Sequence, residues 1–159
     1  MKAIILAGGF GTRLRPVIGD ETPKCMAPVM GRPMVDLIMK NLRKQKITDI
    51  TLALHYKAEK FIDAFGDTVK YKIETTPLGT GGAIKNCLED DEPTLVLNGD
   101  TITHIKYDDM LANHAGGLTM AATQNKGLII GAGAYIVNRE IFDKFDGAFS
   151  FEHDVIPVS

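Results

Sequence analysis

The chain has 159 residues, 45% hydrophobic and 24% charged, a mixture that suits one soluble domain with a continuous core and leaves nothing that reads as disorder. A formal net charge of -2 and a pI near 6.1 exclude a global pull toward nucleic acid or anionic membrane, so an anionic partner must be held by a local site. Two cysteines, Cys25 and Cys87, form neither a metal-ligand spacing nor a disulfide framework, and the first apolar run meets glycines too soon for a signal peptide or membrane span, which makes a cytoplasmic protein the expectation.

In chain order, residues 2–7 (KAIILA) form a short apolar run stopped by Gly8-Gly9, the pattern of a strand buried on both faces. After a loop, Met34, Ile38 and Leu42 recur at helical spacing behind Pro33, which predicts an amphipathic helix with the proline at its first position. Residues 49–56 read as a strand, 57–66 as a helix closed by Gly66, 69–74 as a strand, 79–90 as a helix entered through glycines, and 94–100 as a strand ending in Asp100. Residues 107–115 suit a helix, 117–124 and 128–138 two further strands joined by a hairpin-like turn at Asn125-Lys126-Gly127, and 139–145 a short helix. No linker, repeat or low-complexity tract interrupts the alternation. The expectation is a single α/β domain, Rossmann-like and three-layered, with a mostly parallel central sheet and its ligand at the carboxyl ends of the strands.

Three stretches lie at those ends. Residues 8–13, G-G-F-G-T-R, let backbone N–H groups approach phosphate oxygens without Cβ obstruction, and Arg13 adds a bidentate cation. The spacing matches neither G-x-x-x-x-G-K-[ST] nor G-x-G-x-x-G, which also counts against a dinucleotide dehydrogenase. Soon after, T22-P23-K24-C25-M26-A27-P28 brackets Lys24 with two prolines, a stiff mounting for a single cation. Residues 75–83, T-T-P-L-G-T-G-G-A, place glycines at a helix start, and N98-G99-D100 delivers a carboxylate at the end of an apolar strand, where a hard dication suits it. The four histidines are scattered, with no triad or zinc spacing; Glu152-His153-Asp154 reads as a solvated helix start, and Cys25 as filler.

L-A-G-G-F-G-T-R-L-R-P at 6–16 followed by P-K-C-M-A-P-V at 23–29 resembles the N-terminal signature of the sugar-1-phosphate nucleotidylyltransferases, a likeness that is strong to about Asp100. It implies a fold of the nucleotide-diphospho-sugar transferase type, and transfer of a nucleotidyl group from a nucleoside triphosphate to a sugar 1-phosphate with release of pyrophosphate. By that resemblance Leu6, Ala7, Gly8, Gly9, Gly11 and Thr12 hold the nucleotide and Arg13 meets the β/γ phosphates. Lys24 bridges the reacting phosphates and Asp100 binds Mg²⁺. Pro77, Leu78, Gly79, Thr80 and Gly82 seat the base, and Asn98 and Gly99 complete the nucleotide pocket. Glu74 stands one residue out of step with relatives that write E-x-P.

Three departures bear on the acceptor side. The turn at 125–127 replaces a longer stretch carrying a Glu-Lys pair, Gly131-Ala132-Gly133 stands where the family writes N-A-G, and the sequence stops before a second metal-binding aspartate. The expected division is a nucleotide-binding half at 1–100 and a shortened acceptor half at 101–159. The wording M-A-P-V-x-G-R-P-M, P-L-G-T-G-G-A-I-K and F-S-F-E-x-D resembles the D-glycero-D-manno-heptose 1-phosphate guanylyltransferases of surface-polysaccharide pathways, which favours GTP, with uridylyl and cytidylyl transfer open. A nucleotide-binding module with little catalysis also stays open, as does a homo-oligomer; neither nucleic acid nor membrane is an expected partner.

Overall fold

The computed structural model describes residues 1–12, 15–125 and 128–158. Among these residues eight strands, β1 (Lys2–Leu6), β2 (Pro28–Val29), β3 (Arg32–Pro33), β4 (Ile50–Leu54), β5 (Lys70–Ile73), β6 (Thr94–Asn98), β7 (Leu118–Asn125) and β8 (Leu128–Val137), accompany helices α1 (Arg15–Ile18), α2 (Met34–Lys44), α3 (Ala58–Phe65), α4 (Gly79–Cys87) and α5 (Tyr107–Ala112).

Six strands make one sheet in the order β5-β4-β1-β6-β8-β7. β1 lies between β4 and β6, parallel to both, which is why its side chains are apolar without alternation. β5 extends the parallel part, whereas β8 runs antiparallel to β6, and β7 antiparallel to β8, so the 117–138 stretch is the expected hairpin. Its connection at Lys126 and Gly127 lies outside the described residues.

Successive residues of β1 point to opposite layers. Ala3 and Ile5 join Val35, Met39 and Leu42 of α2, Phe61 of α3 and Tyr107 of α5 in one buried cluster; Ile4 joins Ile84 of α4, Val96, Phe142, Phe151 and Val155 in the other. The three-layer expectation holds, and the strand order brings the carboxyl ends of β1 and β6 side by side, with Leu6 opposite Asn98.

Several boundaries differ from expectation. α2 begins at Met34, with Pro33 as its cap at φ -53 and ψ 137, because Pro33 is paired in the small β2–β3 hairpin, where it faces Pro28. That hairpin turns through Met30 and Gly31, both at positive φ (52° and 77°), the signature of a tight two-residue turn that the sequence reading missed. α4 ends at Cys87 and α5 at Ala112, shorter than expected, and 139–145 yields only a 3₁₀ turn at Arg139–Phe142. Residues Phe151–Val155 form a single wide helical turn capped by the Ser150 hydroxyl, which accepts the His153 N–H. Among the described residues no helix is long and apolar enough to cross a membrane.

Candidate active site

A cleft of about 790 Å³ opens at the carboxyl ends of β1, β4 and β6 and over the start of α4. Leu6, Gly8, Gly9, Gly11, Thr12, Lys24, Pro77, Gly79, Thr80, Asn98, Gly99 and Asp100 line it, so most of the expected residues converge there. Arg13 lies outside the described residues. Ala7, Leu78 and Gly82 are not on the wall: Ala7 is buried and gives its N–H to the Ala53 carbonyl, Leu78 donates its own N–H to Glu74, and Gly82 is packed under Leu78 and the Gly147 carbonyl.

The loop after β1 owes its shape to specific contacts. A Cβ on Gly8 would stand 2.9 Å from the His55 nitrogen, and one on Gly11, at φ +59, would stand 2.8 Å from the Lys24 Cβ. Gly9 has nothing within 4 Å, so packing within the chain does not require a glycine there. Among the described residues no hydrogen bond engages the N–H groups of Gly8, Gly9 or Gly11, which leaves unused donors on three residues that line the cleft. Phe10, at the tip, rests edge-on against His55 (centroids 5.5 Å apart) and tilted against Tyr56 (5.4 Å), and His55 is in turn held by the Glu74 carbonyl at 3.0 Å.

Lys24 opens a 3₁₀ turn (Lys24–Met26) flanked by Pro23 and by Ala27, which precedes Pro28; both flanking residues are extended, at ψ 143 and 133. The next residue, Cys25, is buried beneath Gly99, whose missing Cβ would lie 2.9 Å from the sulfur and 2.5 Å from the Leu6 carbonyl oxygen. Burial foremost, then the Asp100 charge, pushes the Cys25 thiol up to about 12, which keeps it protonated and inert. With Cys25 locked under the strand end, Lys24 is presented to the cleft, where its ammonium pairs with the Asp100 carboxylate. Thr101 donates a weaker hydrogen bond to the other Asp100 oxygen at 3.3 Å. Gly133, at φ +68, packs on Asn98 from β8, so the altered 131–133 segment still abuts the Asn98–Asp100 turn.

Two carboxylates on the opposite wall were undervalued by sequence reasoning. Glu74 accepts the Leu78 N–H at 3.1 Å and so braces the 75–79 loop despite its displaced position. Glu152 is no solvated helix residue: it lines the cleft and accepts a hydrogen bond from the Thr80 hydroxyl at 2.8 Å. The only prior signal for it was the F-S-F-E-x-D wording. Among the described residues, no three His, Cys, Asp or Glu side chains converge as a metal-binding group.

A glycine-rich loop, a cation and carboxylate pair and a glycine-led helix start thus share one cleft. The family description "Nucleotidyl transferase" matches residues 2–127, most of the chain. The chain belongs to that family. This nucleotidyl transferase is 36% identical to D-glycero-alpha-D-manno-heptose 1-phosphate guanylyltransferase of Campylobacter jejuni, over 96% of this chain and 83% of the relative. It is 35% identical to the protein of the same description from Aneurinibacillus thermoaerophilus, over 98% and 84%. The crystal structure of HddC from Yersinia pseudotuberculosis complexed with GMP-PN superimposes with a TM-score of 0.86 at 32% identity, covering 99% of this chain and 86% of that one. The Campylobacter alignment runs to 187 residues against 159 here, so that relative carries residues within the aligned span that this nucleotidyl transferase lacks.

Proposed function

We propose that this nucleotidyl transferase joins the nucleotidyl group of GTP to a sugar 1-phosphate of the heptose or mannose class, forming a GDP-sugar for surface-polysaccharide synthesis. The observation that carries the reading is the convergence of the free glycine N–H groups, Lys24, Asp100 and the 77–80 loop on one cleft; the relatives' guanylyltransferase descriptions supply the base and the sugar class. A phosphate oxygen of the sugar 1-phosphate attacks the α-phosphorus of GTP, the bond to the bridging oxygen breaks, and pyrophosphate leaves with that electron pair. The attacking oxygen is already anionic, so alignment and charge neutralisation suffice and no strong base is required.

In this reading Gly8, Gly9, Gly11 and Thr12 donate to the triphosphate, Arg13 meets the leaving β/γ phosphates, and Lys24 turns from Asp100 to the reacting phosphates. Pro77, Gly79 and Thr80 seat the base, while Leu6, Asn98 and Gly99 shape the floor. Asp100 fits Mg²⁺: it is a hard oxygen donor at a strand end, open on the cleft side, with room for phosphate and water as the remaining ligands. Bound there, the ion would supply charge neutralisation on the phosphates. Residues 1–100 then serve the donor and 101–159, apart from the strip that returns to Thr80, the acceptor, in a cytoplasmic enzyme.

A second reading, nucleotide binding with slow turnover, is favoured by the residues that the relatives carry within the aligned span and this chain lacks. One experiment addresses both: thermal shifts with GTP, UTP, CTP and ATP plus Mg²⁺, then pyrophosphate release with heptose, mannose and glucose 1-phosphates. A ligand at a hundred times its Kd adds about 2.7 kcal/mol of stability, and GTP is expected to give the largest shift. Equal or greater stabilisation by a pyrimidine nucleotide refutes the guanylyl reading; GTP binding without pyrophosphate release above background selects the second.

A further inference from the structure

The segment after β8 returns to the cleft and lies against the start of α4. The Phe149 N–H donates to the Leu78 carbonyl and the Gly81 N–H to the Phe149 carbonyl, each at 3.0 Å, so Phe149 is tied to both sides of Gly79. No side chain fits between the two strips of chain, since a Cβ on Gly79 would approach the Phe149 oxygen to 2.4 Å. Two residues on, the Phe151 N–H donates to the Thr80 hydroxyl oxygen at 2.9 Å, and that hydroxyl donates onward to Glu152 Oε2 at 2.8 Å. The Ser150 hydroxyl adds a long contact to the same oxygen at 3.5 Å.

Glu152 is thereby fixed on the base-binding wall with one oxygen used. Among the described residues no hydrogen bond or ion pair engages its Oε1, and the only lysine or arginine lining the cleft, Lys24, is committed to Asp100. A carboxylate accepts hydrogen bonds and donates none, so this wall calls for a ligand edge that donates. Guanine has adjacent donors, the ring N1–H and the 2-amino group. Uracil offers one N–H between two carbonyl acceptors, and adenine and cytosine each place one amino group beside an acceptor ring nitrogen.

We propose that Glu152 is a specificity-determining residue that reads guanine by accepting a hydrogen bond from its 2-amino group at Oε1. The role rests on the GTP reading above and falls on a segment beyond the matched residues 2–127. The same wall disfavours adenine and the pyrimidines, because a fixed carboxylate facing their acceptor atoms is left unpaired and repelled.

The test is calorimetric binding of GTP, ITP and 2'-deoxy-GTP with Mg²⁺ to the wild-type chain and to Glu152→Gln. ITP lacks only the 2-amino group, and 2'-deoxy-GTP only the ribose 2'-hydroxyl. Wild type is expected to bind GTP roughly ten- to a hundredfold more tightly than ITP, the range of one well-placed base contact, and 2'-deoxy-GTP close to GTP. In Glu152→Gln the Thr80 hydroxyl holds the amide oxygen at the Oε2 position and the amide NH₂ replaces Oε1, so GTP falls to the level of ITP while ITP changes little. Equal wild-type affinity for GTP and ITP overturns the proposal without any variant. Equal losses for GTP and ITP in Glu152→Gln make the residue a brace, and a loss confined to nucleotides with a 2'-hydroxyl makes it a ribose contact; either overturns it. If the wild type prefers another NTP to GTP, the guanylyl reading itself has failed, which is a separate result.

Discussion

Lys24 and Asp100, 76 residues apart in the chain, meet as an ion pair in the wall of the cleft, each side chain 34% exposed. A pair this open to water contributes about 1 kcal/mol or less to stability, so in the proposed reaction its value is in what the two groups do to phosphate. Lys24→Ala and Asp100→Ala are each expected to lower kcat by about 10² to 10³ while leaving the urea midpoint nearly unchanged. Asp100→Ala should also flatten the Mg²⁺ dependence of GTP binding. Pyrophosphate release and calorimetry across a Mg²⁺ series check both; undiminished turnover in either variant contradicts the assignment.

The glycines of the cleft divide by what surrounds them. A Cβ on Gly99 would collide with the Leu6 carbonyl oxygen at 2.5 Å, whereas one on Gly9 would meet nothing within 4 Å. Gly99→Ala is therefore expected to destabilise the fold by about 1 to 3 kcal/mol, read as a lower urea midpoint. Gly9→Ala should keep the midpoint and weaken GTP binding, because only a bound phosphate would feel the added methyl. A destabilised Gly9→Ala that bound GTP normally would remove Gly9 from the phosphate loop.

Thr80 links two distant pieces of chain, taking the Phe151 N–H and giving its own hydrogen to Glu152. Valine keeps the shape and loses both bonds, so Thr80→Val should cost about 1 to 2 kcal/mol. The loss should be accompanied by faster amide exchange at Phe151, measured by hydrogen–deuterium exchange. An unchanged Phe151 rate would mean that the Phe149 backbone bonds and the aromatic packing hold the segment without the Thr80 hydroxyl.

Cys25 ties stability to alkaline pH. Its thiol loses its proton near 9.0 in an ordinary setting and at about 12 in the fold, chiefly through burial. Between those values the unfolded chain binds fewer protons than the native one, so this contribution is complete below pH 9.0 and is lost as pH rises toward 12. The loss is about 1.4 kcal/mol per pH unit for one thiol. Urea melts at increasing pH should fall more steeply for wild type than for Cys25→Ala, and parallel curves would show that the thiol does not titrate this way. Thiol reagents at neutral pH should leave Cys25 unmodified until the chain unfolds.

The alternating apolar runs and punctuating glycines made the three-layer sheet and the carboxyl-end cleft legible, because strand and helix periods are local properties of sequence. Gly8, Gly11, Lys24, Gly79, Thr80 and Asp100 could be named in advance for the same reason: each belongs to a short contiguous string at a strand end. The β2–β3 hairpin went unseen because Met30, its first turn residue, adopts positive φ without being glycine, asparagine or aspartate.

Glu74 and Glu152 show where reading along the chain stops. Glu74 acts through a hydrogen bond to a backbone N–H four residues on, a matter of loop geometry that its misplaced spacing concealed. Glu152 reaches the cleft through Thr80, across 72 residues, and no local period encodes which way a side chain on an isolated helical turn will face. The sequence by itself determined which residues could meet phosphate, since that chemistry is carried by a few residue types in close succession. Which glycines must be glycine, and which carboxylates face the cleft, was decided only by the packing of β1 against β6 and of the Phe149–Glu152 strip against α4, where neighbours distant in sequence come within van der Waals contact.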